Sequence, residues 1–430
     1  MKKLITLALL MAITLQLSAA TYGGGSGSNA KPPRIESINY KMQRSYPGIL
    51  HNMADIESMR KVVREADPQS KMYQAYENLR KMSFASADYK PQILTSSRRS
   101  STTNTLSRTD EGYIANWQND IYAMALNALM FAITQKQAHA DKAAELLNLY
   151  ADRVTCAYTG DGAPLVVGIN MINYIYAVDM IQSLAPETFK EGEYKKICQW
   201  LVDVSIGVEI EKIFLNKPAY TNGNWGAMAM MSYMGLAVLL EDDVRYAKAI
   251  DQYLYSAIFE DNGNILHYVD DNGQNQEAGR DAAHAQLGLY GLSVTAEIAW
   301  KAGTDLYSAY DNRLMKGFEY LTKFNLGYDD VPYKMWRDVT VERKYSRWRE
   351  ISQDKRGNWR DIYELPFNHY VNRMGFEMPY TKMVLERFTP FKYSDPKSRT
   401  SDATTILPEI EVRQDDHFGF GSLLFLNDAK

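Results

Sequence analysis

Four residues that can bind a charged group or transfer a proton lie close together in the second half of this chain. They are Glu277, Arg280, Asp281 and His284. Spacings of three, four and seven residues place side chains on one face of a helix, so we predict that these four share a face. Gly288 and Gly291 follow on that face and would leave open space beside it. An acid, a guanidinium and an imidazole in this arrangement favour a wall that faces a charged ligand; an ordinary solvated stripe is the alternative.

A second group of ligand-binding side chains lies in residues 333–370. This region is dense in Trp, Tyr and Arg, including Tyr345 and Arg347, and it ends with His369 and Tyr370. Guanidinium groups bind carboxylates through paired hydrogen bonds, and Trp and Tyr offer flat apolar faces that suit sugar rings. The whole chain has 30 Tyr and 7 Trp. The region therefore predicts an acidic carbohydrate ligand; a charged aromatic interface between domains is the alternative.

The composition argues against several other partners. The net charge of −4 gives no reason to expect binding to nucleic acid or to an anionic membrane. No CxxC or HExxH motif is present, and we expect neither a dedicated metal site nor a cofactor. Residues 2–20 combine two lysines, an apolar run and small residues, which is the pattern of a cleavable signal peptide. No cysteine follows it, so we expect a secreted or periplasmic protein without a membrane anchor.

Helical periodicity dominates the middle of the chain, and strand-like alternation is almost absent in residues 113–324. Successive amphipathic segments joined by short turns predict helical hairpins. Alternate helices carry polar stripes, with Asn119 in one and Asn173 in another, where a buried helix would be apolar. This alternation favours an all-α fold, an (α/α)n toroid of about six or seven hairpins whose inner helices line a polar cavity.

The domain organisation follows from these segments. We expect a signal peptide at residues 1–20 and a flexible Gly/Ser-rich linker at residues 21–34. The catalytic toroid is predicted to span residues 35–395. Residues 396–430 would form a short irregular or β-containing tail that packs on the toroid.

Two reactions cleave acidic polysaccharides, and they need different side chains. Hydrolysis needs two carboxyl groups that flank the glycosidic bond. β-Elimination needs a group that neutralises the uronate carboxylate, a base that removes the C5 proton, and an acid that protonates the departing O4. The chain offers histidines, tyrosines and the pair Asn222 and Asn224 for elimination, and it lacks a GxSxG motif.

Two stretches resemble the central signatures of the alginate lyase superfamily of α/α-toroid polysaccharide lyases. They are YTNGNWGAMAMMSYMGLAV (residues 220–238) and GNILHYVDDNGQNQEAGRDAAHAQLGLYGLSVTAEIA (residues 263–299). Two more, NWQNDIYAMALNAL (residues 116–129) and YELPFNHYVNRMG (residues 363–375), are similar to polysaccharide lyase family 38, whose members act on alginate or glucuronan. The resemblance covers roughly residues 110–380 and implies an α/α toroid that cleaves polyuronates by elimination.

The resemblance also implies roles for individual residues. In this group an Asn-containing loop neutralises the carboxylate, and a later helix carries an Arg followed by a His or Tyr. We therefore expect Asn222 or Asn224 and Arg280 to neutralise the carboxylate, and His284 to be the base. The candidates for protonating O4 are Tyr290 and Tyr345. The remaining predicted substrate-binding residues are Glu277, Trp225, Asn119, Asn173, Arg347, His369 and Tyr370.

One departure from the group's pattern concerns the histidine. Related lyases carry an Asn-His pair, whereas Trp225 follows Asn224 in this chain. His284 is the natural substitute and His369 the second choice, while Glu277 is expected to orient Arg280 or His284.

The predicted function is that of a secreted lyase acting on alginate or glucuronan. Two alternatives belong to other classes. One is a glycoside hydrolase on the same toroid that would use Glu277 with Asp281 or Asp120. The other is a non-catalytic glycan-binding protein. The preferred uronate, mannuronate, guluronate or glucuronate, depends on contacts that the sequence does not place.

Overall fold

The computed structural model shows a ring of helices together with short β-strand pairs. It describes residues 35, 38–92, 106–107, 111–154, 158–159, 163–213, 223–255, 263–339, 345–393, 411–412 and 416–426. In chain order the helices are α1 (Met53–Glu65), α2 (Lys71–Leu79), α3 (Glu111–Thr134), α4 (Gln137–Arg153), α5 (Ala163–Leu184), α6 (Glu193–Asp203), α7 (Gly223–Leu239), α8 (Asp243–Leu254), α9 (Ile265–Tyr268), α10 (Ala282–Lys301), α11 (Ala309–Asn325), α12 (Glu364–Phe367), α13 (Pro379–Phe388) and α14 (Gly421–Phe425).

Shorter elements complete the described chain. Single 3₁₀ turns lie at Ser83–Ala85 and Pro186–Thr188, and π-helical turns lie at Gly207–Ile213 and Asn368–Arg373. The parallel strand pairs are β1 (Leu106–Ser107) with β2 (Tyr158–Thr159), and β5 (Lys392–Tyr393) with β6 (Glu411–Val412). The antiparallel hairpin is β3 (Trp336–Val339) with β4 (Tyr345–Trp348).

The long helices form an inner and an outer layer. Helices α3, α5, α7 and α10 pack side by side in that order, and α4, α8 and α11 each pack on the outside of an inner helix. All of α7 is buried except Trp225, because its sequence is apolar on every side. The outer helix α8 buries one face, formed by Tyr246, Ala249, Ile250 and Tyr253. This alternation is that of an α/α toroid and confirms the predicted fold class.

The inner helix α5 has a composition that could be mistaken for a membrane span. Within the described part of the chain, residues 164–184 are long and apolar enough to cross a membrane. Most of this segment is buried inside the protein, as expected of the core helix of a toroid.

The polar stripe of α3 points into packed protein rather than into a cavity. Asp120 is fully buried and accepts hydrogen bonds from the hydroxyls of Tyr89 (2.7 Å) and Tyr150 (2.9 Å). Asn127 is also buried and donates to the carbonyl of Phe84 (3.0 Å). The prediction that such stripes line a polar cavity is therefore wrong for these two residues. Their polar atoms join neighbouring segments, since a buried polar group needs a partner.

The inner helix α10 begins later than the sequence pattern predicted. Glu277 and Arg280 lie in a turn before it, and Asp281 is the residue that caps its first turn. The four polar residues therefore do not share one helical face. They still lie close together, because the turn packs against the N-terminal end of α10.

Gly288 and Gly291 bring elements into close contact and do not leave the open space that we predicted. A Cβ atom on Gly288 would lie 2.0 Å from Cζ of Tyr268, and one on Gly291 would lie 2.8 Å from the carbonyl carbon of Ala227. The space beside α10 is thus filled by a tyrosine ring and by the backbone of α7. Gly168 brings α5 equally close to the backbone of α7.

The C-terminal segment 416–426 packs against inner helices from several sides of the ring. The backbone N–H of Phe418 donates to the hydroxyl of Tyr290 (3.0 Å), and its carbonyl accepts from Tyr122 (2.9 Å). Further along, the N–H of Gly421 donates to Asp361 at 3.0 Å. The end of the chain is therefore part of the folded core in this region.

The interface of α5 with α7 gives a test of the packing. Replacing Gly168 with Ala would put its Cβ 2.5 Å from the carbonyl carbon and oxygen of Met228, which are backbone atoms that cannot yield. We expect the free energy of unfolding, measured by urea denaturation, to fall by about 1–3 kcal/mol. This loss exceeds the gain of about 0.5–1 kcal/mol that Ala brings to a helix.

The matched control is Gly235→Ala, on the other side of the same helix pair. Its nearest neighbours would be the side-chain methyls of Ile172 (3.0 Å) and Ile175 (3.4 Å), which can shift. We expect unchanged or slightly higher stability. Equal denaturation midpoints for the two variants would contradict the proposed backbone contact.

Candidate active site

The buried carboxylate of Glu277 joins three separate segments of the chain. One oxygen accepts hydrogen bonds from the backbone N–H of Asn224 (3.0 Å) and the hydroxyl of Tyr268 (3.1 Å). The Asn224 side-chain amide donates to both oxygens, at 3.0 and 2.9 Å, and Arg280 Nη1 donates at 2.9 Å. Glu277 is 3% exposed. A buried carboxylate is costly unless it is paired and hydrogen-bonded, and here both conditions are met.

Gly223 allows the start of α7 to approach this carboxylate. Its φ of +54° lies in the left-handed region that favours glycine. A Cβ atom there would also lie 3.1 Å from the carboxyl carbon of Glu277. The N-terminus of α7, with its free backbone N–H groups and positive dipole end, thus points at Glu277.

Asp281 places the side chain of His284. It caps α10 through one oxygen, which accepts the backbone N–H of His284 at 2.8 Å. The other oxygen lies 2.6 Å from Nδ1 of the same histidine. Burial alone would raise the pKa of Asp281, but the hydrogen bonds from His284 and the charge of Arg280 lower it below its usual value. The carboxylate is therefore ionised at neutral pH.

Two exposed groups stand in front of these two buried carboxylates. The side chains of Arg280 and His284 are 40% and 38% exposed, against 4% and 9% for Glu277 and Asp281. The arrangement presents a guanidinium and an imidazole to solvent, each fixed from behind by a carboxylate. It can bind an anionic group and exchange a proton beside it.

The Trp- and Arg-rich region packs against this cluster. A Cβ atom on Gly279 would lie 2.3 Å from both Cβ of Trp348 and the hydroxyl of Tyr333, so β4 and the segment before β3 lie directly on the turn. Arg360 also reaches it, with Nε donating to the carbonyl of Ala283 at 3.2 Å. The predicted residues Tyr345 and Arg347 lie on β4, paired with Val339 and Arg337 of β3. Their side chains fall outside the described part of the structure.

The structure places Tyr290 away from the exposed groups. Its hydroxyl accepts the N–H of Phe418, its side chain is 6% exposed, and burial raises its pKa. A ligand would have to displace the C-terminal segment to reach it. The prediction that Tyr290 donates a proton is therefore corrected: its ring projects from α10 and packs against residues 417–418.

His369 and Tyr370 lie near the C-terminal end of α10, far from His284. His369 stacks on Tyr307 with ring centroids 3.7 Å apart and contacts Trp300, and burial lowers its pKa to about 4. Tyr370 is fully buried and donates to the carbonyl of Tyr307 at 2.8 Å. Trp300 lies 16 residues beyond His284, roughly 24 Å along the helix. The prediction that these two residues bind substrate beside His284 is therefore wrong.

The remaining predicted residues have mixed positions. Asn224 is fully buried, and Trp225 beside it is partly exposed. Asn173 is 6% exposed, and the side chain of Asn119 donates to Gln92 at 3.0 Å. Asn222 lies outside the described residues. Of these, Asn224 joins the cluster, where it contacts Glu277 and has no exposed surface for a ligand.

Sequence reasoning missed how several residues shape the site. Asp281 was singled out but not as the cap of α10, although an Asp three residues before His284 at the start of an apolar helical run is an N-cap pattern. Tyr333 and Arg360 fell in the region predicted to bind the ligand, but nothing in the sequence placed them beside His284. Tyr268 was missed, because it reaches the cluster through a turn.

Comparison with known proteins links the chain to one family. A family model described as alginate lyase matches residues 57–330. A variant of alginate lyase A1-III complexed with tetrasaccharide is similar in structure, with 12% identity, a TM-score of 0.57, and coverage of 91% of this chain and 98% of that chain. Alginate lyase A1-III from Sphingomonas species A1 gives 13% identity, a TM-score of 0.57, and coverage of 79% and 91%. At such low identity these likenesses show the fold. No curated protein matches the chain.

The role of Glu277 can be tested with Glu277→Gln. The new amide would place a donor against the donors of Asn224 and Arg280, leaving buried polar groups unpaired. We expect the free energy of unfolding to fall by about 1–3 kcal/mol, measured by chemical denaturation. Glu350→Gln, at an exposed position, is the control and should leave stability unchanged. Equal stability of both variants would show that Glu277 does not hold the cluster together.

Proposed function

This chain belongs to the alginate lyase family of polysaccharide lyases, and we propose that it cleaves alginate by β-elimination. Glucuronan, a second polyuronate, is the alternative substrate. The observation that carries the proposal is the pair of exposed groups, Arg280 and His284, fixed by the buried carboxylates of Glu277 and Asp281. The family match and the tetrasaccharide bound to a protein of the same fold support a polyuronate chain as the ligand.

Arg280 is proposed to bind the carboxylate of the uronate at the cleavage point. Removal of the C5 proton moves negative charge onto that carboxylate, and a guanidinium within hydrogen-bonding distance stabilises the charge. One nitrogen of Arg280 is occupied by Glu277, which fixes the plane of the group. Its exposed nitrogens remain available to a carboxylate.

His284 is proposed to take the C5 proton through Nε2. Its Nδ1 faces Asp281, so the other ring nitrogen is directed away from that carboxylate. The electrons of the C5–H bond form the C4–C5 double bond, and the bond from C4 to the glycosidic oxygen breaks. An acid then protonates that oxygen.

A tyrosine in or just before the β3–β4 hairpin, Tyr333 or Tyr345, is proposed as this acid. Tyr345 remains a prediction from the sequence. Tyr333 is the candidate whose hydroxyl the structure places on the turn at Gly279, where it donates to the carbonyl of Trp348 at 3.1 Å. Burial, with a smaller effect of Glu350, raises the pKa of Tyr333 to about 12, which suits a proton donor better than a base.

Asn224 takes a different role in this proposal from the one that the sequence implied. Its amide donates to both oxygens of Glu277 and therefore cannot also donate to a substrate carboxylate. It fixes Glu277, which in turn fixes Arg280. Neutralisation by Asn222 stays a prediction, because that residue lies outside the described part.

The hydrolase alternative needs a pair of free carboxyl groups. Glu277 and Asp281 are both buried and engaged by Asn224, Arg280 and His284. Asp120 is buried among tyrosines of neighbouring helices. None of these three carboxyls is placed to protonate a glycosidic oxygen or to activate water.

Export through the signal peptide at residues 1–20 remains part of the proposal and is supported by the sequence pattern alone.

The proposed reaction can be followed by ultraviolet absorbance. The C4–C5 double bond is conjugated with the carboxylate, so the mature protein should give rising absorbance on polymannuronate, polyguluronate or glucuronan. His284→Gln should reduce kcat by about 10²–10⁴-fold, the usual contribution of a general base. Its circular dichroism and denaturation midpoint should match the wild type. New reducing ends without absorbance would instead identify a hydrolase, and binding without cleavage would identify a glycan-binding protein.

The acid can be identified by comparing Tyr333→Phe with Tyr345→Phe. Removal of the hydroxyl that protonates the leaving oxygen should lower kcat by at least about 10²-fold with little change in KM. Tyr290→Phe is the control and should keep near-wild-type kcat, because its hydroxyl is buried against Phe418. Full activity in both Tyr333→Phe and Tyr345→Phe would exclude these two tyrosines as the acid.

A further inference from the structure

A single carboxylate, that of Asp281, makes two different bonds to His284. One oxygen accepts the backbone N–H at 2.8 Å, and the other lies 2.6 Å from Nδ1 of the ring. The first bond belongs to the helix cap and the second to the side chain. Because the same rigid group makes both, the ring orientation is tied to the start of α10.

The chemistry of the pair fixes the position of the proton. An ionised carboxylate only accepts hydrogen bonds, so Nδ1 must carry the hydrogen when the imidazole is neutral. Nε2 then holds the lone pair. In a free histidine the two tautomers interconvert, and a base that presents N–H to its substrate cannot accept a proton.

We propose that Asp281 is a positioning residue that holds His284 in its Nδ1–H tautomer, with the Nε2 lone pair facing the bound sugar. The inference rests on the proposed lyase function, but the tautomer itself can be observed without any turnover. Asp281 also stabilises the imidazolium that forms when His284 accepts the C5 proton, since the new positive charge lies next to a carboxylate.

Other charged and titratable groups surround the pair. Arg280 Nε lies 3.8 Å from Asp281, and Glu277 lies behind Arg280. Tyr268 comes from the short helix before the turn, and its hydroxyl oxygen lies 3.1 Å from the carbonyl oxygen of His284. Arg360 donates to the neighbouring carbonyl of Ala283. None of these contacts engages the imidazole nitrogens, so the tautomer is set by Asp281.

Two substitutions of Asp281 distinguish its effect on helix capping from its effect on the tautomer of His284. Asn and Ser are both good N-caps, so Asp281→Asn and Asp281→Ser should each keep α10 intact. In Asp281→Asn the amide NH₂ would donate to Nδ1 and force the proton onto Nε2. In Asp281→Ser no partner for Nδ1 remains, and the ring would choose its tautomer as in water.

The first measurement is ¹⁵N NMR of the full chain labelled at histidine, recorded above pH 8, with His284 assigned by its loss in His284→Gln. We expect the Nδ1–H tautomer in the wild type and the Nε2–H tautomer in Asp281→Asn. The second is kinetics on the polymer that the wild type cleaves. Asp281→Asn should lose about 10²–10⁴-fold in kcat with little change in KM, and Asp281→Ser should lose less.

The outcomes distinguish this inference from the proposed function. An Nε2–H tautomer in the wild type, or wild-type kcat in Asp281→Asn, would overturn it. Should Asp281→Asn fail to fold, wild-type kcat in a folded Asp281→Ser would overturn it equally. The expected tautomers in a wild-type protein that cleaves none of the polymers would support the placement of the imidazole while removing the lyase proposal.

Discussion

The buried carboxylate of Glu277 is the contact on which the site depends. It accepts hydrogen bonds from the backbone N–H and side-chain amide of Asn224 at the start of α7, from the hydroxyl of Tyr268 before the turn, and from the guanidinium of Arg280 after it. Without this acceptor, the backbone and side-chain donors of Asn224 would be buried with no partner, and Arg280 would lose the contact that fixes it. The turn between α9 and α10, and with it the exposed face of Arg280, is therefore built around one negative charge.

A toroid of apolar inner helices explains why the candidate site lies at the start of a helix. Almost every side of α7 and α10 is covered by neighbouring helices, so polar groups along their middle would be buried. The first turn of α10 is different, because Ala283 and His284 are partly exposed there. Backbone N–H groups at that turn also favour a carboxylate cap, which Asp281 provides. Asp281, which caps the start of α10, thus positions His284, which faces solvent.

The sequence predicted the fold class, and it singled out the four residues Glu277, Arg280, Asp281 and His284 that the structure brings together. The fold class followed from successive helical segments joined by short turns. The polar stripes that were also used for this prediction proved to be buried in α3, at Asp120 and Asn127. Arg280 and His284 were recognisable because their side-chain types suit an anionic ligand. The start of α10 was misjudged because helical spacing continues through a turn. Tyr290 and His369 were misplaced because their partners, Phe418 and Tyr307, lie far away in sequence.

The two ends of α10 differ: the N-terminal end carries the candidate site, and the C-terminal end is held by buried ion pairs. At the far end Glu297 is fully buried, and although burial would raise its pKa, Arg373 and Lys301 hold that pKa at about 2. Arg373 binds both carboxylate oxygens at 2.8 Å, which fixes α10 to the segment after α12. Near the first turn Arg360 bridges a carbonyl of α10 to Asp416 of the C-terminal segment at 2.6 Å. Since both ends are braced by Arg–carboxylate pairs, the imidazole of His284 projects from a helix held at both ends, which suits the role of base that we propose for it.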